Sequence, residues 1–418
     1  MRAFLSVLLT GLLLLVSDNA AAGQAAAPDA TGMRREDRPI TILVAMDGFR
    51  ADYLDRGITP NLAALAARGV TAPMRPSFPS VTFPNLYTLL TGKRPDRHGV
   101  VGNRFQSADR TAAFGDDRAA SRDAHWWSGA VPLWASAEAQ GIGTAHLFYL
   151  TPGVDAAGNP PSRYRAYDEV LAPIDEPEAL LAWLDVPEAE RPRFLTLYFY
   201  SADSQGHAFG PNSPELAAAL RELDTAVGNL MSGLVRRGLA ERTNVVFVAD
   251  HGMSEVRAER TVALDRLVPA EQLRPVSLGA FAAFDAAPGA SLAAIADRLV
   301  GRHGAMECWR KEHIPERFNF GAHPRIAPIV CLADRGWTIA LSPPETPPAR
   351  ETRGDHGYDP YDPEMAALFV AVGPAFRRGV RLDPFDNVHA YPLLAHIAGI
   401  RPEPGDGDFA VLSPALAD

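Results

Sequence analysis

Ile40-Thr41-Ile42-Leu43-Val44-Ala45-Met46 is a nearly unbroken apolar run, closed directly by Asp47. A half-exposed strand alternates polar and apolar residues. A run without alternation is the pattern of a strand covered on both faces, as in a parallel sheet flanked by helices. The chain beyond it repeats the theme. Thr59-Pro60-Asn61 predicts a helix start, with Thr59 as N-cap, Pro60 in the first turn and Gly69 just past the end. Phe194 to Tyr200 reads as a second buried strand, and Asp203 follows it. Ser213 then caps a helix in which Leu216, Leu220, Leu223, Val227, Leu230 and Leu234 recur at helical spacing. Asn244 to Ala249 is a third such strand, followed at once by Asp250-His251, and Met365 to Val372 is a fourth. The alternation predicts an α/β fold: a doubly wound, mostly parallel central sheet with helices on both faces, which binds ligands beyond the carboxyl ends of its strands. Asp47, Asp203 and Asp250 all fall on that edge. Between about 256 and 353 the pattern weakens, so a small inserted subdomain is expected within a catalytic domain spanning 38–415.

The full chain of 418 residues is 47% hydrophobic and 22% charged, which is globular composition. At that length one core needs a large sheet to organise it. Met1-Arg2, the apolar run Ala3 to Val16 and Ala20-Ala21-Ala22 form a secretory signal peptide over 1–22. Its apolar run is short of the roughly 20 residues of a bilayer span. Export to the periplasm or medium is therefore expected, without a stable membrane anchor, and 23–37 reads as a disordered lead-in. Two cysteines, Cys308 and Cys331, suggest one disulfide in an exported protein, with two buried thiols as the alternative. The formal charge of −10, without a Lys/Arg track, speaks against long nucleic acid as a partner. A phosphate ester would then need a local positive centre, and bound metal ions are the natural candidate.

Asp47, Asp203, His207, Asp250, His251 and His356 are the residue types zinc accepts, and a catalytic pair of metals needs several of each with open positions. Singly, a strand-end Asp is usually a turn former, and D-x-x-x-H is usually solvated. Placed at successive sheet edges, they form a set. Thr82 precedes a helix expected from about Pro84 to Thr91. Ordinarily such a threonine is an N-cap. As a nucleophile it would need metal coordination, because a neutral hydroxyl is weak and a helix start favours an anion.

The segments MDGFRADYL (Met46 to Leu54), TPNLAALAARGV, FPSVTFPNLYTLLTGKRPDRHGVVGN (Phe78 to Asn103), DSQGH (Asp203 to His207), ADHGM (Ala249 to Met253) and DHGYDP (Asp355 to Pro360) resemble, in this order, the nucleotide pyrophosphatase/phosphodiesterase family of the alkaline phosphatase superfamily. The resemblance runs from about Ile40 to FDNVHAYPLLAHIAGI. It implies an exported phosphodiesterase with two Zn2+ ions. Asp47, Thr82, Asp250 and His251 would hold one ion, and Asp203, His207 and His356 the other. Thr82 would carry a covalent phospho-threonine intermediate, and Asn103 would donate to a phosphate oxygen. Phe83, Tyr167 and Tyr198 would form an aromatic slot for the nucleobase of a small nucleotide or related diester, with core packing as the alternative, above all for the two tyrosines. The chain departs from the family at Leu86, where a histidine is common, and at Pro360, where an asparagine is frequent. Alternatives on the same scaffold are a phosphate monoesterase, a phosphonate hydrolase and a lipid-headgroup phosphodiesterase; a non-catalytic zinc-holding protein is the alternative outside enzymes. Trp126, Trp127 and Trp134 read as packing, and His98 and His125 as structural or exposed.

Overall fold

The computed structural model describes residues 38–115, 122–149, 158–167, 170–342 and 353–417. The leader and lead-in expected over 1–37 lie outside these residues. Along the chain come strands β1 (Ile40–Met46), β2 (Val70–Arg75), β3 (Thr144–Leu147), β4 (Arg163–Arg165), β5 (Phe194–Phe199) and β6 (Thr243–Val248). Next are β7 (Leu273–Ser277), β8 (Phe281–Ala286), β9 (Gly301–His303), β10 (Met306–Arg310) and β11 (Ile329–Ala333), then β12 (Ala367–Val372). The central sheet has the order β2-β12-β6-β1-β5-β3-β4, with short strands flanking β2. Every residue of β1, β5, β6 and β12 is buried, which explains their unbroken apolar runs.

The sheet is mostly parallel, with one exception that matters. β12 runs antiparallel to both β2 and β6. A parallel strand delivers the residues after it to the carboxyl edge, whereas a reversed strand delivers those before it. The segment leading into β12, His356 included, therefore joins the strand-end aspartates at one edge.

Helices α1 (Pro60–Arg68), α3 (Ser201–Phe209) and α4 (Pro214–Arg236) pack together in one layer, and α2 (Thr82–Thr91) packs with α6 (Ala390–Ile397) in another. Helix α4 buries the expected leucines, and Ser213 Oγ accepts from Leu216 N at 3.1 Å. Thr59, in contrast, makes no capping hydrogen bond. Asp224 of α4 replaces it, accepting from Asn61 N at 3.1 Å and Leu62 N at 2.8 Å. A carboxylate at a helix start serves better than a hydroxyl, both as acceptor and for the dipole.

Residues 273–333 form a second, antiparallel sheet of order β7-β8-β11-β10-β9. Side chains alternate along β8. Phe281 and Ala283 pack toward Phe78, Phe318 and Phe320, beside the segment leading to α2, while Ala282 and Phe284 pack under α5 (Leu292–Leu299) with Cys308 and Cys331. Those two cysteines pair across β10 and β11 as a disulfide.

Candidate metal centre and nucleophile

Asp47 directly follows β1, Asp250 follows β6, Asp203 lies in the first turn of α3 after β5, and Thr82 opens α2 after β2. Two glycines let these ends close on one another. Gly48 has φ 66°, and a Cβ there would approach Asp203 Cα to 3.0 Å; at Gly252 a Cβ would meet Glu364 O at 2.0 Å.

Two clusters result. In the first, His251 Nε2 lies 3.3 Å from Asp47 Oδ1, 3.3 Å from Asp250 Oδ2 and 3.2 Å from Thr82 Oγ1. In the second, Asp203 Oδ1 lies 3.3 Å from His207 Nε2 and 3.6 Å from His356 Nε2. The ligand atoms within each Asp/His cluster lie inside 4.8 Å of one another. The clusters adjoin, with the rings of His251 and His356 stacked at 3.6 Å. All six Asp and His residues proposed from sequence are thus brought together beside Thr82.

The imidazoles are aimed by the backbone. Nδ1 of His207 faces Gly354 O at 2.8 Å, that of His251 faces Gly252 O at 2.9 Å, and that of His356 faces Ser80 O at 3.0 Å. A carbonyl only accepts, so each Nδ1 carries a proton and each Nε2 is turned toward the cluster. This is the usual second-sphere arrangement of a metal-binding histidine.

Electrostatics point the same way. Burial, then the nearby charges of Asp250 and Asp203, pushes the Asp47 carboxyl well above the usual carboxylate range. Burial likewise raises Asp250. Burial works against charge on both Asp203 and His207, yet their mutual attraction wins, holding Asp203 below its usual range and lifting His207 to about 10. His356 is pushed well below its ordinary value by burial and by the other two imidazoles. Asp47 Oδ1, Asp203 Oδ1 and Asp250 Oδ2 are buried without a hydrogen-bond partner, and these are the oxygens that face the imidazole Nε2 atoms. Orphaned buried carboxylate oxygens are unfavourable unless something positive meets them. The oxygen and nitrogen donors fit divalent cations, zinc among them.

Helix α2 begins at Thr82, not near Pro84, and its N-cap is Val81. The reason lies inside the helix. Asn85, fully buried, accepts from Ser77 N at 2.7 Å and donates to Pro79 O at 3.0 Å and Val81 O at 2.8 Å. Asn387 Nδ2 adds a bond to Asn85 Oδ1 at 2.8 Å. With the approach loop held this way, the Thr82 hydroxyl is not used as a cap and turns to His251. Phe83 N donates to Asn103 Oδ1 at 2.9 Å, and Pro84 has no N–H. The helix start therefore offers few donors of its own. With Oδ1 pinned, Nδ2 is the donor Asn103 has left, and the residue lines a cleft.

That cleft, about 280 Å³, is bounded by Asn103, Arg104, His207, Asp355 and His356 and by the β7–β8 turn at Ser277, Leu278 and Phe281. No sequence signal pointed to this turn; its backbone is tied to the site by Ala280 N donating to Asp355 Oδ2 at 3.3 Å.

Each of the three aromatic residues expected to form one slot has its own ring partners. Phe83 packs edge-on against Phe114 at 5.2 Å. Tyr167 packs edge-on against Tyr198 at 6.1 Å and Tyr200 at 5.3 Å. Phe83, Tyr167 and Tyr200 are half-buried, but Tyr198 is only 3% exposed and its hydroxyl donates to Asp47 Oδ2. Tyr200, which the sequence reading passed over, is the better-exposed ring beside Tyr167. Trp126, Trp127 and Trp134 are core, His98 is buried and His125 exposed. Leu86 is buried in the core, and Pro360 lines a separate cleft of about 360 Å³ with Tyr361 and Arg75 that holds none of the candidate ligands.

Residues 41–359 match the family described as type I phosphodiesterase/nucleotide pyrophosphatase. An uncharacterized pyrophosphatase/phosphodiesterase of Schizosaccharomyces pombe is 35% identical over 88% of this chain and 78% of its own length. Human ectonucleotide pyrophosphatase/phosphodiesterase family member 7 is 33% identical over 90% of this chain and 83% of its own. Mouse family member 1 is 32% identical, and the match spans only 43% of that longer protein. Among solved structures, murine ectonucleotide pyrophosphatase/phosphodiesterase 5, an inactive threonine-to-alanine form in complex with AMP, superposes with a TM-score of 0.84 at 29% identity. It covers 91% of this chain and 100% of that one. No described helix is long and apolar enough to cross a membrane.

Proposed function

This chain belongs to the type I phosphodiesterase/nucleotide pyrophosphatase family, a family of phosphodiester-hydrolysing enzymes; from that premise we propose that it cleaves nucleotides and related small diesters through a covalent intermediate on Thr82. The observation that carries this reading is the Thr82 hydroxyl, 3.2 Å from His251 Nε2, at the centre where the buried Asp47 and Asp250 oxygens lack partners. Asp47, Thr82, Asp250 and His251 would hold one Zn2+, and Asp203, His207 and His356 a second. When bound, such ions lower the pKa of a coordinated hydroxyl and neutralise charge on a departing oxygen.

The protein's own groups do the rest. Thr82 Oγ1, its proton given up to solvent, would attack phosphorus, forming the threonine–phosphate bond as the bond to the leaving alcohol or phosphate breaks, a leaving alcohol taking its proton from solvent. Water then displaces Thr82 and releases the nucleoside monophosphate. Asn103 Nδ2 would donate to a non-bridging phosphate oxygen, an interaction of the kind worth about 3 kcal/mol where charge develops. Phe83 would flank the base from the α2 side and Tyr167 from the other. The α2 dipole favours the anion at its start. A diester carries one charge fewer than a monoester, and the apolar wall of Phe83 suits it. Arg104 on the cleft wall favours a second reading, a phosphate monoesterase or phosphonate hydrolase, because a third charged oxygen would need such a cation.

The sequence leader and the disulfide support an exported protein, periplasmic or secreted, whose catalytic domain spans 38–415 with 256–353 as its inserted subdomain. The deciding assay compares the p-nitrophenyl esters of thymidine monophosphate and of phosphate. The diester is expected to be strongly preferred, with turnover abolished by chelator, restored by zinc and lost in Thr82→Ala. Preference for the monoester would overturn the substrate, and full activity of Thr82→Ala would overturn the mechanism.

A further inference from the structure

The two oxygens of Asp47 have different surroundings. Oδ1 faces His251 Nε2 at 3.3 Å and lacks a hydrogen-bond partner, whereas Oδ2 accepts the phenol of Tyr198. Strand register explains the meeting. β1 pairs with β5 in parallel, setting Ala45 against Tyr198 and Met46 against Phe199. Asp47 N continues the ladder to Phe199 O at 2.8 Å, so the carboxylate just past the end of β1 sits on the same face as Tyr198, two residues back in register on β5. Both side chains are 3% exposed. A ring so covered offers almost no face to a base, and it already packs edge-to-face with Tyr167 at 6.1 Å.

We infer that Tyr198 is a positioning residue: its hydroxyl holds Asp47 Oδ2 and thereby aims Oδ1 at the centre shared with Asp250, His251 and Thr82. The torsion that turns a carboxylate is soft, and its two oxygens are chemically equivalent until something distinguishes them. A donor fixed on one oxygen removes that freedom before any cation arrives, and it satisfies an acceptor that would otherwise be buried without a partner. Neither Asp250 nor Asp203 has a phenol in this position. Asp250 Oδ1 is instead held by backbone, accepting from Gly48 N at 3.2 Å and His251 N at 3.1 Å. Each carboxylate of the first cluster thus has one oxygen tied back and one turned inward. A phenol does for Asp47 what main-chain amides do for Asp250.

This inference rests on the reading of the cluster as a cation site, and its test separates the two. Zinc affinity is measured by competition with a chromophoric chelator, on wild type and Tyr198→Phe, with the visible spectrum of the cobalt-substituted proteins as a second readout. Tyr198→Phe keeps the ring, so a stacking role predicts no change in either. The positioning role predicts that one of two zinc equivalents binds about 10- to 100-fold more weakly, the range seen when a ligand's outer partner is lost, with an altered cobalt spectrum for that equivalent alone. Added zinc should then restore turnover. If Tyr198→Phe folds poorly, Asp47→Asn is compared with the Asp47→Asn/Tyr198→Phe pair, in which no buried carboxylate loses its donor. Acting through Asp47, Tyr198→Phe should then change zinc affinity by less than about twofold. Two zinc equivalents in wild type, with the same affinities and spectrum in Tyr198→Phe, would overturn the inference alone. A wild type that binds no zinc would overturn it together with the metal reading.

Discussion

The two clusters differ in composition, depth and origin. The first has two carboxylates and one imidazole, all essentially buried, supplied directly by the ends of the central strands β1 and β6. The second has one carboxylate and two imidazoles, is partly open and lines the cleft through His207 and His356, which come from α3 and from the approach to β12. In the proposed reaction, a buried centre with two carboxylates beside a hydroxyl would suit making and holding a nucleophile. A less charged, open centre suits a leaving group and a water that must come and go. On the proposed reaction, this asymmetry would divide the work between the two clusters.

The largest expected effect comes from breaking the first. Asp250→Asn removes a charge that has no solvent to replace it, and should lower kcat/KM by about 10³ or more, roughly 4 kcal/mol. His207→Ala, at the open centre, should lose less, about 10²-fold, and should recover partly with excess zinc. Steady-state kinetics on one diester across a zinc series checks both, and equal, zinc-insensitive losses would erase the distinction. Asn103→Ala belongs to neither cluster and should mainly lower kcat, by about 10²-fold, with zinc content unchanged by elemental analysis.

A smaller effect sharpens the comparison through the scaffold. Asn85→Ala leaves the Ser77, Pro79 and Val81 backbone groups without their partner, and each such loss costs about 1–3 kcal/mol. Stability should fall by about 3 kcal/mol by denaturant unfolding, and turnover should drop more than zinc binding at the second cluster.

The smallest expected effect concerns pH. Asp386 is bonded by Arg75 at 2.5 Å and Arg94 at 2.7 Å, on the nucleophile side of the sheet edge. Burial alone would raise its pKa, but the two guanidinium bonds outweigh that and hold the carboxyl below its usual range. A depressed carboxyl stabilises the fold above its unfolded value, near 4, and that contribution disappears as pH falls through the folded value. Asp386→Asn should therefore melt below wild type at pH 7, with the gap closing below about pH 4.

The same contrast governs what could be read from the sequence. The first cluster was legible because buried parallel strands write themselves as unbroken apolar runs, and Asp47 and Asp250 stand at their ends. Asp203 and His207 were legible as a spaced pair and His356 as a further ligand type, but its place beside them came only with the resemblance, because an apolar run does not reveal that β12 is reversed. The second sheet was hidden for another reason. Its outer strands are short and half-exposed, as in Gly301–His303, and one of its faces borrows a core from residues near 78–127. The bond from Tyr198 to Asp47 was not legible, because a phenol on a buried strand looks like packing or a stacking wall, and its partner lies 151 residues away. Thr59 failed as a cap because Asp224, equally remote in sequence, reaches the same N–H groups.

Anomalous diffraction at the zinc edge from crystals of the zinc-loaded protein tests the central claim most directly. Two ions are predicted. One lies about 2 Å from Asp47 Oδ1, Asp250 Oδ2 and His251 Nε2 with Thr82 alongside, and the other lies at the same distance from Asp203, His207 and His356. A single ion, or ions bound only away from these side chains, would contradict it.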